Sequence, residues 1–223
     1  MTAGWFVTGT DTGAGKTVAA AALIHRLRAE GLRVAPMKPV ASGCRATPGG
    51  LRSEDAEILI EAAGGGWDYA DVNPYALAPP VAPHIAAAEA GVEIRRAPIL
   101  EAYARLRAGA DAVVVEGVGG WLVPLGAHWT TADLAVAMGL PVLLVVGLRL
   151  GCISHALLTA EAVAARGLRL AGWIAARVEP ATERAGAVVE ALQARLAAPL
   201  LGVLPHARPP RPERLAASLA LPR

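Results

Sequence analysis

The stretch "GTDTGAGKT" (Gly9 to Thr17) sets glycines, a lysine and a hydroxyl between an apolar run and an alanine-rich one. A glycine-rich loop that joins a strand to a helix turns backbone N–H groups, and the positive end of the helix, toward an anion. Lys16 then stands where a lysine holds β- and γ-phosphates, and Thr17 where a hydroxyl binds Mg²⁺. The spacing is unusual, because five residues separate Gly9 from Gly15 where the common pattern has four. The plain alternative is a glycine-rich turn with a chance lysine. Scarcity argues against it: the chain carries 21 Lys plus Arg, yet only Lys16 and Lys38 are lysines. A bias toward arginine elsewhere marks both as places where a compact ammonium is needed instead of a planar fork.

Lys38 lies in "MKPVASG", at the end of the second apolar run. Pro39 keeps Lys38 extended and supplies no N–H. Ser42 and Gly43 follow as loop residues facing the same side. "AVVVEGVGG" (Ala112 to Gly120) is an apolar strand that ends on Glu116. Ligands of parallel sheets bind beyond the carboxyl ends of the strands, so Glu116 is expected in the crevice of Lys16 and Lys38. A carboxylate there suits Mg²⁺, which takes one or two from protein. Gly117, Val118 and Gly119 form a turn that a ligand can approach closely. Asp55 is either a second carboxylate of the site or a first-turn acid favoured by its helix dipole. Five scattered histidines show no ligand spacing and read as structural; His155, near a helix start after "RLGC", is the one kept as a candidate.

These residues need a scaffold that gathers loop ends. Strand patterns at "GWFVTG", "LRVAPMKPV", "DAVVVEG", "LPVLLVVG", "LRLAGWIAARV" and "PLLGVLP" alternate with helix patterns. The helices are "KTVAAAALIHRLRAEG", "SEDAEILIEAAGG" opened by Ser53, "IAAAEAG", Ile99 to Ala108, Ile153 to Arg166 and "TERAGAVVEALQARL". The segment "WDYADVNPYALAPPVAPH" reads as a long loop, and the Pro- and Arg-rich tail as a surface excursion closed by a short helix. Alternation of this kind specifies an α/β fold with a mostly parallel sheet and helices on both faces, in one domain over residues 1–223. The longest apolar run, "LPVLLVVGL", is far short of the roughly 18 residues of a membrane span. The N-terminus has no secretory pattern. Two cysteines, Cys44 and Cys152, give neither a disulfide framework nor metal spacing, so a reduced, cytoplasmic protein is expected. A net charge of +2 with scattered arginines does not specify nucleic acid.

Together, "GTDTGAGKT", "KPVASG", "VNPY", "PHIAA", "VEGVGGWLVPL" and "LPVLLVVGLRLGCISHALLT" resemble the dethiobiotin synthetase family of biotin biosynthesis, from the first strand to about residue 175. The five-residue loop spacing is that family's own form. Asn73, the only asparagine in the chain, falls inside "VNPY". The resemblance implies a P-loop nucleoside triphosphate hydrolase fold, with ATP as co-substrate and Mg²⁺ as cofactor. It implies that 7,8-diaminononanoate takes up CO₂ as a carbamate, which ATP activates to a carbamic–phosphoric mixed anhydride before the ring closes. By resemblance, Lys38 and Lys16 are catalytic, and Thr17, Asp55 and Glu116 hold the metal. Gly13, Ala14, Gly15, Val18, Gly117, Val118 and Gly119 would contact the nucleotide, with Pro205, His206, Ala207 and Glu213 near the base. Thr12 and Ser42 would contact substrate. The family is a homodimer, and Leu150, Gly151, Cys152, Ile153 and Ser154 would hold the carboxylate tail of the partner's substrate at a helix start.

The chain departs from the family pattern at three places. Gly13 stands where many members have glutamate, and Ser154 where many have asparagine. Ala176 and Arg177 stand where an asparagine often reads the adenine edge, so weakened base discrimination is expected. Two rivals meet obstacles. A cobyrinate-type amidoligase would need a glutaminase domain, for which 223 residues leave no room. A partition-type nucleotide switch would carry a lysine five residues before Lys16, where this chain has Asp11.

Overall fold

Along the first strand, β1 (Ala3–Gly9), side chains alternate between two apolar layers: Trp5 and Val7 join one cluster and Phe6 the other. The same alternation repeats through the neighbouring strands, because a sheet covered on both faces buries every position. The computed structural model describes residues 2–180 and 184–222. In chain order β1 is followed by α1 (Lys16–Ala29), β2 (Val34–Met37), β3 (Val40–Ser42), the hairpin β4 (Arg45–Thr47) and β5 (Gly50–Arg52), α2 (Glu54–Ala62) and α3 (Tyr69–Val72). Next come β6 (Tyr75–Leu77), α4 (Pro83–Glu89), α5 (Arg96–Ala108), β7 (Ala112–Glu116), α6 (Thr131–Met138), β8 (Val142–Gly147) and α7 (Cys152–Ala165). The chain closes with β9 (Leu170–Ala176), α8 (Ala185–Gln193), β10 (Leu200–Leu204), α9 (Pro212–Leu215) and a 3₁₀ turn (Ala216–Ser218).

Six strands form one sheet in the order β10-β9-β8-β1-β7-β2, and every pairing in it is parallel. β1 is central, with β7 on one side and β8 on the other. Beyond the carboxyl ends of β1, β7 and β2 lie the loop that carries Lys16, the turn that follows Glu116, and Lys38, and these share one crevice. One face is covered by α1, whose Ala19, Ala20, Ala21 and Ala22 are fully buried and let the helix sit close to the sheet. Helices α2 and α9 flank α1. The opposite face carries α5 and α6 over Phe6, Val113 and Val115, and α7 and α8 over Leu144 and Val146. The expected α/β architecture with a mostly parallel sheet and helices on both faces is the one observed.

Four local expectations are corrected. "WDYADVNPYALAPPVAPH" is not a plain loop, since it holds α3, β6 and the first residues of α4. "LRVAPMKPV" is not one strand: β2 stops at Met37, and β3 pairs with β6 in a separate two-stranded parallel sheet. Pro39 lacks the N–H that would continue the ladder. "TTADLAVAM" forms α6, which the sequence reading left out, although Thr130 and Asp133 make a capping box at its start. The tail is exposed over residues 207–211 and closes with the short helix α9, as expected, but that closing part is docked: Leu215, Ala216 and Leu219 are buried and α9 lies on α1. Thr182 and Glu183, the expected first turn of the last long helix, lie outside the described residues.

Candidate active site

The loop between β1 and α1 depends on backbone that only glycine adopts without strain. Gly15, the N-cap of α1, has φ 91°, and a Cβ there would also press on Ala176 at 3.1 Å. Lys16 curls back over this loop, and its Nζ donates to the Asp11 carbonyl at 3.1 Å. Burial is the main reason its ammonium is pulled down to a pKa of about 8, and the charge of Lys38 adds to the effect. Arg149, between β8 and α7, braces the loop from outside: it pairs with Asp11 at 2.8 Å and donates to the Thr12 carbonyl at 3.2 Å. Sequence reading had no signal for this brace, because pattern reading does not pair residues so far apart.

Four side chains, from α1, α2, β7 and the link between β2 and β3, meet beside the loop. The Thr17 hydroxyl, from the first turn of α1, lies 2.9 Å from Asp55 Oδ1 and 2.9 Å from Glu116 Oε1. The Lys38 ammonium lies 2.7 Å from Glu116 Oε1, 2.8 Å from Asp55 Oδ2 and 3.3 Å from the Gly117 carbonyl. Glu116 is placed by strand pairing, as β7 sits beside β1 and the Gly117 N–H donates to the Val7 carbonyl at 2.9 Å. Asp55 is placed by α2, which starts where the Ser53 hydroxyl caps the Ala56 N–H.

Charge in this cluster is balanced by contact. Burial pulls the Lys38 amine down, but the carboxylates of Glu116 and Asp55 more than offset it and keep the ammonium charged. Burial pushes the Glu116 carboxyl above its usual range against the pull of Lys38. Burial also raises Asp55, but Lys38 outweighs it and the net direction is down.

Oxygen atoms of Thr17, Asp55 and Glu116 converge, and Glu116 Oε2 is buried with no hydrogen-bond partner. Among the described residues no three His, Cys, Asp or Glu gather as a metal cage. Two carboxylates and a hydroxyl fit a hard divalent cation of the Mg²⁺ kind, which takes few protein ligands and completes its shell with phosphate and water.

The cluster opens into a crevice of about 830 Å³. Thr12, Gly13, Gly15, Lys16, Thr17, Val18, Lys38, Ser42, Asp55, Glu116, Val118 and Gly119 line it, as do Pro80, Val81, Leu122 and Val123. The structure thus brings the charged candidates together and adds an apolar wall that sequence reading did not name. Ser42 Oγ is buried without a partner, facing the fate of any unpaired hydroxyl unless a ligand meets it. A second crevice, of about 250 Å³, adjoins the loop at Gly13 and Gly15 and is lined by Ala176, Arg177, Val178, Pro205, His206, Ala207 and Leu215. Glu213 is exposed on α9 and lines neither crevice. Ala14, within the loop, is fully buried. Leu150, Gly151, Cys152, Ile153 and Ser154 sit at the start of α7, outside both crevices, with Leu150 fully exposed and Cys152 buried.

A phosphate loop after the central strand, with a carboxylate ending the neighbouring strand, defines a P-loop nucleoside triphosphate hydrolase fold. A solved structure of the signal recognition particle receptor FtsY from Elizabethkingia anophelis, in complex with GDP, is similar in fold, with a TM-score of 0.50 and 16% identity. That alignment covers 99% of this chain and 60% of the longer FtsY chain. The model of a family described as an AAA domain matches residues 3–214. The chain is 57% identical to the ATP-dependent dethiobiotin synthetase BioD of Aromatoleum aromaticum, over 98% of this chain and 97% of that one. It is 56% identical to the BioD of Xanthomonas axonopodis pv. citri, over 90% of each. The chain belongs to the ATP-dependent dethiobiotin synthetase family.

Proposed function

We propose that the chain closes the ring of dethiobiotin from 7,8-diaminononanoate, CO₂ and ATP, working as one catalytic domain. The observation that carries this reading is the buried Lys38 ammonium, held between Asp55 and Glu116 in the wall of the crevice that Lys16 also lines. Carbamate and triphosphate are both anions, so their encounter needs fixed positive charge, and preorganised charge of this kind is usually the largest catalytic term.

One amine of the substrate adds to CO₂, giving the carbamate and releasing a proton. A carbamate oxygen attacks the γ-phosphorus, the bond to the β-phosphate oxygen breaks, and ADP leaves. The second amine then attacks the carbonyl of the mixed anhydride and expels phosphate, which closes the cyclic urea. Lys38 neutralises the carbamate and the transferring phosphoryl group, while Lys16 holds the β- and γ-phosphates against the loop N–H groups. Thr12 and Ser42 orient the substrate. Thr17, Asp55 and Glu116 would hold Mg²⁺, which when bound supplies charge neutralisation to the phosphates. The second crevice takes the base. In a homodimer, the start of α7 from Leu150 to Ser154 would receive the carboxylate tail of the partner's substrate.

The test mixes purified protein with diaminononanoate, bicarbonate and Mg·ATP, and follows dethiobiotin and ADP by mass spectrometry, with Lys38→Ala in parallel. Dethiobiotin from the wild type, and a rate lower by about 10²–10³-fold in the variant, is the expected result. ADP release without dethiobiotin would overturn the reading and leave a nucleotide hydrolase with another acceptor.

A further inference from the structure

Lys38 and Asp55 touch, yet they belong to separate elements that no strand pairing joins. Lys38 stands between β2 and β3, and Asp55 lies in the first turn of α2. The link between them runs through α3. The Lys38 N–H donates to the Val72 carbonyl at 2.8 Å, and the Lys38 carbonyl accepts from Asn73 Nδ2 at 2.6 Å. Both backbone groups of Lys38 are thus gripped at the end of this one short helix. Asn73 also donates to the Tyr75 carbonyl at 3.3 Å, while its Oδ1 accepts from the Tyr69 hydroxyl at 3.0 Å. The Tyr69 oxygen in turn accepts from the Ser53 N–H at 2.6 Å, and Ser53 is the N-cap of α2, two residues before Asp55. Arg52 stacks 4.1 Å above the Tyr69 ring and steadies it.

A continuous path therefore joins the backbone of the cation to the helix that presents its carboxylate partner. Only a carboxamide can fill the Asn73 position, since it must donate to two carbonyls and accept from a hydroxyl at once. Asn73 is 4% exposed, so an unmade bond there would not be replaced by water. The chain spends its single asparagine on this place.

We propose that Asn73, acting through Tyr69, is a positioning residue that fixes the Lys38 ammonium against Asp55 and Glu116. The inference rests on the reading of Lys38 as the cation between carbamate and phosphate. Asn73 lines neither crevice. It sets where Lys38 starts, and a misplacement of about 1 Å in a catalytic group can cost about 10²-fold in rate.

Having only two lysines makes the test direct. Lysine labelled with ¹³C at Cε gives two side-chain resonances, from Lys16 and Lys38, which Lys38→Ala assigns. Asn73→Asp keeps the size and the acceptor but places an oxygen against the Lys38 carbonyl. It should shift the Lys38 resonance, leave that of Lys16 in place, and lower kcat for dethiobiotin about 10- to 100-fold with the KM for ATP unchanged. Tyr69→Phe should do the same to a smaller degree, and it decides the matter if Asn73→Asp does not fold. The positioning role is overturned if both resonances move together, if neither moves, or if kcat and the KM for ATP deteriorate in step. Full activity in Lys38→Ala would instead sink the role given to Lys38, and with it the functional part of this inference, whatever the resonances do.

Discussion

The Lys38 ammonium lies 2.7 Å from Glu116 Oε1, and both side chains are withdrawn from water, at 3% and 1% exposure. A pair this deeply placed is stabilised by contact and penalised by desolvation, so its members depend on each other. Removing Lys38 leaves the buried Glu116 carboxyl without its cation, removing Glu116 leaves Lys38 with Asp55 alone, and removing both leaves a cavity wall that can be apolar. Lys38→Met and Glu116→Leu should each destabilise the fold by up to about 3–5 kcal/mol. The double variant should cost less than the two together. Urea unfolding of the four proteins checks this, and strictly additive losses would show that the two charges do not support each other.

The second crevice speaks to nucleotide choice. Ala176, Arg177, Val178, Pro205 and His206 are among the residues that line it. The chain has one asparagine and one glutamine, Asn73 and Gln193, and neither lines this crevice. Without a carboxamide, whose paired donor and acceptor match the adenine edge, discrimination between bases is expected to be weak. GTP and CTP should therefore compete with ATP in the dethiobiotin assay and support turnover themselves. Strict use of ATP would refute this.

Acid stability is expected to depend on Asp133. Its Oδ2 accepts from the Thr130 N–H and the Thr130 hydroxyl, both at 2.8 Å, and Oδ1 accepts from Arg166. Burial raises its pKa, but these donors prevail and hold the carboxyl below its usual range. The unfolded chain, with an ordinary carboxyl near pKa 3.9, therefore takes up this proton before the folded chain does. The contribution is whole above that value and is lost as pH falls through the folded one. Asp133→Asn should lower the melting temperature at neutral pH, and the gap to wild type should narrow below about pH 4. A gap that stays constant down the acid limb would contradict the assignment.

Gly202, in β10, tests the docked tail. A Cβ there would stand 2.2 Å from the Ser218 carbonyl oxygen, a backbone atom that cannot rotate away. Gly202→Ala should cost about 1–3 kcal/mol by overpacking. It should also raise the KM for ATP, because Leu215 of the displaced α9 lines the second crevice. A variant with unchanged melting temperature and unchanged KM would show that the tail does not bear on the nucleotide.

The sheet and its phosphate loop could be read from the chain because their signals are local. β1, β7 and β8 are apolar runs bounded by turn residues, and "GTDTGAGKT" carries its chemistry within nine positions. The cluster of Lys16, Thr17, Lys38 and Glu116 followed from one rule, that the carboxyl ends of parallel strands share a crevice. Asp55 stayed open between two readings until its contacts with Lys38 and Thr17 were seen. What escaped was either masked or non-local. β3 was hidden because Pro39 breaks an apolar run without ending it, and the β4–β5 hairpin because its strands are only three residues each. The capping box of Thr130 and Asp133 did announce α6 and went unused. The Arg149–Asp11 brace and the Tyr69–Asn73 path join segments whose meeting depends on the whole fold.

The docked tail has a further consequence at the rim of the sheet. β10 is a terminal strand, and one of its outward groups, the Leu201 carbonyl, accepts from the Ala220 N–H at 2.7 Å. An open strand edge is a template on which another chain can add. The segment around Ser218 to Ala220 thus acts as a guard against edge-to-edge aggregation. Loosening it would first be felt as poor solubility at high concentration, before any loss of turnover.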